Sequence, residues 1–183
     1  MKIENTPLPG VLLIHPQIFP DDRGYFFESF RAAEFEKIGL PAVFVQDNQS
    51  LSEKGVIRGL HFQLKYPQGK LVQVTLGEVY DIALDIRPNS PHYGEWFGAV
   101  LNAANHIQMY IPPGFAHGYK VLSAQAIFQY KCTEIYHPED EYGVNCRDPE
   151  IDIKWPSGKE LISLKDKKLP NLKEIPPDYL PSI

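Results

Sequence analysis

The sequence predicts an all-β fold, a sandwich or barrel of short strands with a few short helices. Three observations predict it. Glycine and proline, 13 and 17 copies in 183 residues, punctuate the chain throughout. Between them lie short runs rich in β-branched and aromatic residues, at the spacing that favours sandwiches and barrels. Only one stretch carries a convincing helical pattern.

In chain order the strand-like runs fall at residues 11–15, 25–30, 43–46, 70–76, 79–87, 96–101, 109–112 and 126–136. The helical stretch is 31–38, closed by Gly39 and Pro41. A second short helix is expected near 163–168. The tail, with Pro170, Pro176, Pro177 and Pro181, is expected to run extended over the surface. Within 79–87, Tyr80, Ile82, Leu84 and Ile86 alternate with Asp81, Ala83 and Asp85. The acidic face either meets water or lines a polar cavity, and small barrels can hold such a cavity.

The length suits one domain, 1–183. The chain is 43% hydrophobic and 22% charged, with a net charge of −5. That acidity argues against a nucleic-acid partner, which asks for a basic face. No run approaches the roughly 18 apolar residues of a membrane span. MKIENTPLPG lacks the apolar core of a signal peptide. The cytoplasm is therefore the expected compartment, and Cys132 and Cys146, in no CxxC pair, are expected to be free buried thiols.

Of the six histidines, two stand in suggestive contexts. His61 lies in Arg58-Gly59-Leu60-His61-Phe62-Gln63, and His117 follows Pro112-Pro113-Gly114-Phe115-Ala116. Gly55 six residues before His61, and the Pro112, Gly114, His117 spacing, resemble the two motifs of a cupin-type jelly roll. The second histidine of the first motif is replaced by Gln63, and no glutamate follows among 64–68. One or two histidines fall short of the protein ligands typical of a catalytic transition metal. The expected fold is thus a cupin-like jelly-roll barrel without a metal or other cofactor. A histidine that binds no metal is free to move protons, since imidazole titrates near neutral pH. Lys70 suits a site of developing negative charge on oxygen. Tyr130, protonated at neutral pH, can donate a proton. Arg58 and His61 have opposite strand parity; either Gly59 marks a bulge that lets both reach one site, or Arg58 binds from a rim.

Nearly the whole chain resembles the dTDP-4-dehydrorhamnose 3,5-epimerase family of rhamnose biosynthesis. The resemblance runs through Asp22-Arg23-Gly24-Tyr25-Phe26-Phe27-Glu28, Phe44-Val45-Gln46-Asp47-Asn48, the RGLHFQ stretch and Pro67-Gln68-Gly69-Lys70-Leu71-Val72. It continues through Gly77-Glu78-Val79-Tyr80-Asp81, Ile111-Pro112-Pro113-Gly114-Phe115-Ala116-His117-Gly118, Tyr130-Lys131-Cys132-Thr133 and Leu164-Lys165-Asp166. It implies His61 as base, Tyr130 as acid, Lys70 as the holder of the sugar's keto oxygen and Asp166 as support for the histidine. It assigns nucleotide and sugar contacts to Arg23, Glu28, Gln46, Asp47, Asn48, Arg58, His117, Glu141 and Lys165, and thymine stacking to Tyr136. The implied substrate is a dTDP-linked 4-keto-6-deoxy sugar, the implied assembly a homodimer. Two stretches depart from the pattern: the residues around Glu141, where neighbouring acids could substitute, and Asn145-Cys146-Arg147-Asp148-Pro149.

The implied chemistry is proton removal from C3 and C5, both alpha to the C4 ketone, with reprotonation from the opposite face. The absence of a Gly-x-Gly-x-x-Gly motif agrees with a reaction that has no redox step. Three rivals stand beside this reading. A single 3- or 5-epimerase or a ketoisomerase of another dTDP-sugar pathway is separated by product analysis. A metal-dependent cupin is separated by metal analysis. A non-catalytic sugar-nucleotide or lectin-like binding module would bind dTDP and exchange no protons.

Overall fold

The structure, a computed structural model, describes residues 1–182. Among them, strands form at β1 (Lys2–Asn5), β2 (Leu12–His15), β3 (Phe19–Asp21), β4 (Gly24–Phe26), β5 (Gln46–Glu53), β6 (Val56–Gln63) and β7 (Lys70–Leu76). They continue at β8 (Glu78–Asp85), β9 (Trp96–Asn102), β10 (Gln108–Ile111), β11 (Phe115–Val121), β12 (Gln125–Cys132), β13 (Glu141–Gly143) and β14 (Leu161–Ile162). One α-helix, α1 (Ala32–Lys37), and several three-residue 3-10 turns complete the inventory. Two sheets face each other. The first runs β1-β2-β10-β7-β12-β5; the second runs β13-β6-β11-β8-β9, with β14 beside β6. Hairpin β3-β4 stands apart from both. No helix among the described residues is long and apolar enough to cross a membrane.

Period-2 alternation decides what lies between the sheets. Val72, Val74, Met109 and Ile111 from the first sheet meet Ala83, Phe115, Tyr119 and Val121 from the second. The outer face of the first sheet, through Ile14, Leu71 and Tyr110, is covered by Phe35 of α1 and by Leu40. The outer face of the second, through Ile57, Leu60, Ile82, Leu84 and Ile86, is covered by Val144, Cys146, Leu172, Ile175 and Leu180. The tail therefore corrects one expectation. It does not run extended over the surface; 3-10 turns at Leu172–Glu174 and Pro177–Tyr179 press leucines and an isoleucine onto the sheet. The prolines set turns here rather than an extended path. Asp148, in the stretch that departs from the family pattern, anchors this cover: its carboxylate accepts the Leu172 N–H at 2.7 Å and the Glu150 N–H at 2.9 Å. Cys132 and Cys146 are both free and buried, as expected.

Other boundaries also differ. The strand expected at 43–46 begins only at Gln46 and continues through polar residues to Glu53. Val43 and Val45 are exposed. On β5, Gln46, Asn48 and Ser50 turn inward while Asp47, Gln49 and Leu51 turn outward. The inward face is polar because this end of the barrel lines a cavity instead of core. The acidic face of β8 meets no water either: Asp81 and Asp85 are both fully buried, Asp81 against the His117 imidazole and Asp85 against Arg87 and Ser90. The helix expected at 31–38 is present as α1, and the short one near 163–168 as a 3-10 turn at Asp166–Lys168.

The parity conflict between Arg58 and His61 is settled by a bulge. Across β6 and β11, His117 pairs His61 and Tyr119 pairs Arg58, so two steps on β11 span three on β6. Ile57 and Leu60 consequently share the outer cluster, and Arg58 and His61 share the inner face. Gly59 permits this, with φ +107°; a Cβ there would stand 2.5 Å from the His117 carbonyl oxygen and 2.7 Å from the Gly118 Cα. Gly59→Ala is expected to cost about 2–3 kcal/mol through strain and overpacking, read as a lower urea midpoint. An unchanged midpoint would remove the steric reading of this glycine.

Candidate active site

A cavity of about 730 Å³ opens between the sheets at the β5–β6 end, within the size range of small-molecule sites. His61, on the second sheet, and Tyr130, on the first, line it from facing walls. Lys70, at the start of β7, lines the same space. The register explains the grouping: Cys132 pairs Lys70 and Tyr130 pairs Val72, so these strand ends open onto one mouth.

His61 is held by a carboxylate. Its Nε2 lies 2.7 Å from Asp166 Oδ1, and its Nδ1 lies 3.8 Å from Glu141 Oε1. Asp166 comes from the 3-10 turn in the C-terminal segment. Burial alone would raise its carboxyl, but the hydrogen bond and charge of His61 hold it below the usual carboxylate range. A carboxylate on Nε2 fixes that nitrogen as the donor and leaves Nδ1 to take a proton. Glu141 is likewise kept ionised. Burial opposes this, but Lys165 and the Tyr136 hydroxyl, which donates to Glu141 at 2.8 Å, outweigh it. The neighbouring acids do not replace Glu141: Asp140 accepts the backbone N–H groups of Lys65 and Tyr66, and Glu139 lies beside His137.

Two other groups carry shifted acidities. Burial lowers the Lys70 ammonium, with Cys132, Glu141 and Asp81 opposing. Burial pushes the Tyr130 phenol up to about 12, so it holds its proton throughout the neutral range. His117 forms a second imidazole–carboxylate pair. Its Nε2 lies 3.0 Å from both oxygens of Asp81, which is fully buried. His117 is also the ladder partner of His61, so the two imidazoles are neighbours on one wall. Asp81 was legible only as part of an acidic strand face; its pairing needed the β8–β11 register, Asp81 opposite Tyr119. Tyr119 and Ser50 were also missed; their hydroxyls, 2.8 Å apart, join the walls inside the cavity.

The fold, the polar cavity and the ordered set of motifs converge with one further observation. A model of the family described as dTDP-4-dehydrorhamnose 3,5-epimerase matches residues 5–174. The chain belongs to that family.

Two relatives within or near this epimerase family and one solved structure mark its position. The dTDP-4-dehydrorhamnose 3,5-epimerase of Escherichia coli (strain K12) is 51% identical over 178 residues, 96% of each chain. A crystal structure of dTDP-6-deoxy-D-glucose-3,5-epimerase from Legionella pneumophila Philadelphia 1, in complex with dTDP-4-keto-L-rhamnose, superposes with a TM-score of 0.97. It is 48% identical, over 100% of this chain and 98% of that one. The dTDP-4-dehydrorhamnose 3-epimerase of Streptomyces niveus is 37% identical over 91% of this chain and 82% of its own.

Against this epimerase frame, most of the residues named from the sequence come together: His61, Lys70, Tyr130, Asp166, Gln46, Asn48, Arg58, His117, Tyr136, Glu141 and Lys165 all line the cavity. Three do not. Asp47 turns outward and pairs with Lys131 at 2.8 Å, because it alternates with Gln46 and Asn48 on β5. Arg23 sits on the β3-β4 hairpin, where its solvent-exposed guanidinium pairs with Asp21 at 2.6 Å. Glu28 follows that hairpin and takes the Arg31 guanidinium at 2.9 Å. Neither reaches the cavity of its own chain, because the hairpin joins neither sheet.

Proposed function

We propose that the protein converts dTDP-4-dehydro-6-deoxy-D-glucose to dTDP-4-dehydro-L-rhamnose by epimerising C3 and C5. One observation carries the reading: His61 and Tyr130 stand on facing walls of one cavity, with Lys70 in the same cavity on β7, the strand beside the one that bears Tyr130. Epimerisation requires proton removal from one face of a carbon and delivery to the other. In this reading His61 takes the proton alpha to the ketone, and the electron pair moves onto the C4 oxygen. The Lys70 ammonium stabilises the enolate oxygen so formed. Tyr130 then gives its proton to the opposite face, and the carbonyl reforms. Asp166 supports the imidazolium that His61 becomes. The chemistry calls for no cofactor.

Arg58 and Lys165 at the cavity are candidates for the pyrophosphate, and Tyr136, with an exposed ring, for the thymine. His117, Gln46, Asn48 and Glu141 are candidates for sugar and nucleotide contacts. We take the chain as one domain, 1–183, and as a cytoplasmic enzyme, the free buried thiols supporting the latter. A homodimer is the proposed assembly. It gives the exposed Tyr25 and Phe26 of the β3-β4 hairpin a surface to cover, and would allow Arg23 and Glu28 to serve a second copy's cavity.

The 3-epimerase relative keeps a single epimerisation as the second reading. Incubation with substrate in deuterated water separates the two. Label is expected at both C3 and C5 of the product. Label at one carbon reduces the protein to a single epimerase, and none at either, from folded protein, overturns the proposal.

A further inference from the structure

Gln63 stands two residues beyond His61 on β6, where a metal-binding cupin has its second histidine. Its side chain is 4% exposed and fully engaged. Nε2 donates to the carbonyl of Tyr66 at 2.7 Å and to that of Ile135 at 3.1 Å, while Oε1 accepts the His137 N–H at 2.8 Å. Two more glutamines act on the same loop. Gln68 Nε2 donates to the Glu134 carbonyl at 2.9 Å, and Gln46 Oε1 accepts the Tyr136 N–H at 2.7 Å. Each residue from 134 to 137 thus has a main-chain group held by a glutamine side chain. These residues lie beyond the end of β12 and before the turn at Pro138–Asp140, outside any sheet ladder. Side-chain amides do there what a neighbouring strand does elsewhere. Tyr136 sits between the two positions that Gln63 grips.

We propose that Gln63 is a positioning residue for recognition of the nucleotide base. It clamps the 134–137 loop so that Tyr136 meets the base already in place. The inference rests on the reading of Tyr136 as the base-stacking aromatic. Gln63 touches neither the reacting carbons nor the base; it acts through the loop, by removing an ordering cost from binding. Truncating it leaves two carbonyls and one N–H to find new partners.

A double-mutant cycle tests this. Affinity for dTDP is measured by calorimetry, with kcat and KM, for the wild type, Gln63→Ala, Tyr136→Ala and the double variant. Gln63→Ala is expected to weaken dTDP binding and raise KM about 10-fold, with kcat within about 3-fold of wild type. In the Tyr136→Ala background the same change is expected to add less than about 2-fold. Independent losses that multiply, or a fall in kcat with dTDP binding intact, overturn the proposal. Should Gln63→Ala fail to fold, Gln68→Ala, which loses a single bond to the same loop, takes its place in the cycle with the same non-additivity expected. Amide hydrogen exchange in the ligand-free variants reads the clamp apart from any activity. Faster exchange at Tyr136 and His137 supports it and unchanged exchange overturns it, whether or not the wild type proves to be an epimerase.

Discussion

His61→Ala is expected to lower epimerisation by about 10²–10⁴-fold, the usual worth of a general base, and to leave dTDP affinity near the wild-type value. The loss is large because no neighbour can take over. Glu141, 3.8 Å from the imidazole, is held below the usual carboxylate range by Lys165 and Tyr136, and is too weak a base. Tyr130 keeps its proton up to about 12 and offers no base at neutral pH. Asp166 faces the imidazole, and the alanine leaves it behind an empty space. The groups proposed for the nucleotide, Arg58, Lys165 and Tyr136, keep their own partners: Ser52 for Arg58, and Glu141 for the other two. Deuterium incorporation at C3 and C5, read by NMR alongside dTDP calorimetry, checks both halves. Activity above about a tenth of wild type would take His61 out of the mechanism.

Lys70→Met is expected to cost about 10²–10³-fold in kcat, comparable to removing one donor from an oxyanion site. Methionine keeps an unbranched side chain while removing the ammonium, so the barrel is preserved. The pH profile adds a second reading. Burial favours the neutral amine of Lys70, so its ammonium is lost at a lower pH than that of an exposed lysine. Activity of the wild type is expected to fall on the alkaline side as that ammonium deprotonates, and Lys70→Met is expected to lack that fall. A variant with wild-type kcat would show that the enolate oxygen is stabilised elsewhere.

Much of this was legible in the sequence, for identifiable reasons. Lys70–Leu76 stands out as a run of apolar and β-branched residues, and Val79–Arg87 by the period-2 alternation of Tyr80, Ile82, Leu84 and Ile86 with Asp81, Ala83 and Asp85. His61, Lys70, Tyr130 and Asp166 were legible together through the order of their motifs. The failures have physical causes. β5 was missed over most of its length because its inward residues, Gln46, Asn48 and Ser50, face a polar cavity and leave no apolar alternation. Asp47 was grouped with Gln46 and Asn48 although adjacent strand residues point to opposite faces. The tail was read from its prolines, while Leu172, Ile175 and Leu180, which bury themselves in the sheet, carry too little periodicity to announce it. Asp81 and Gln63 derive their meaning from partners far along the chain, and no local pattern encodes a distant partner.

The layer that covers the second sheet has a consequence in time. His61 joins its carboxylate across 105 residues, so Asp166 is synthesised long after the histidine it faces. Strands β1 to β14 all precede it in the chain, so the walls of the barrel can be made before the dyad exists. In the proposed mechanism the base is therefore armed only when the segment that carries Asp166 docks against β6. Turnover by the proposed mechanism then reports on the docking of that segment, not only on the integrity of the barrel.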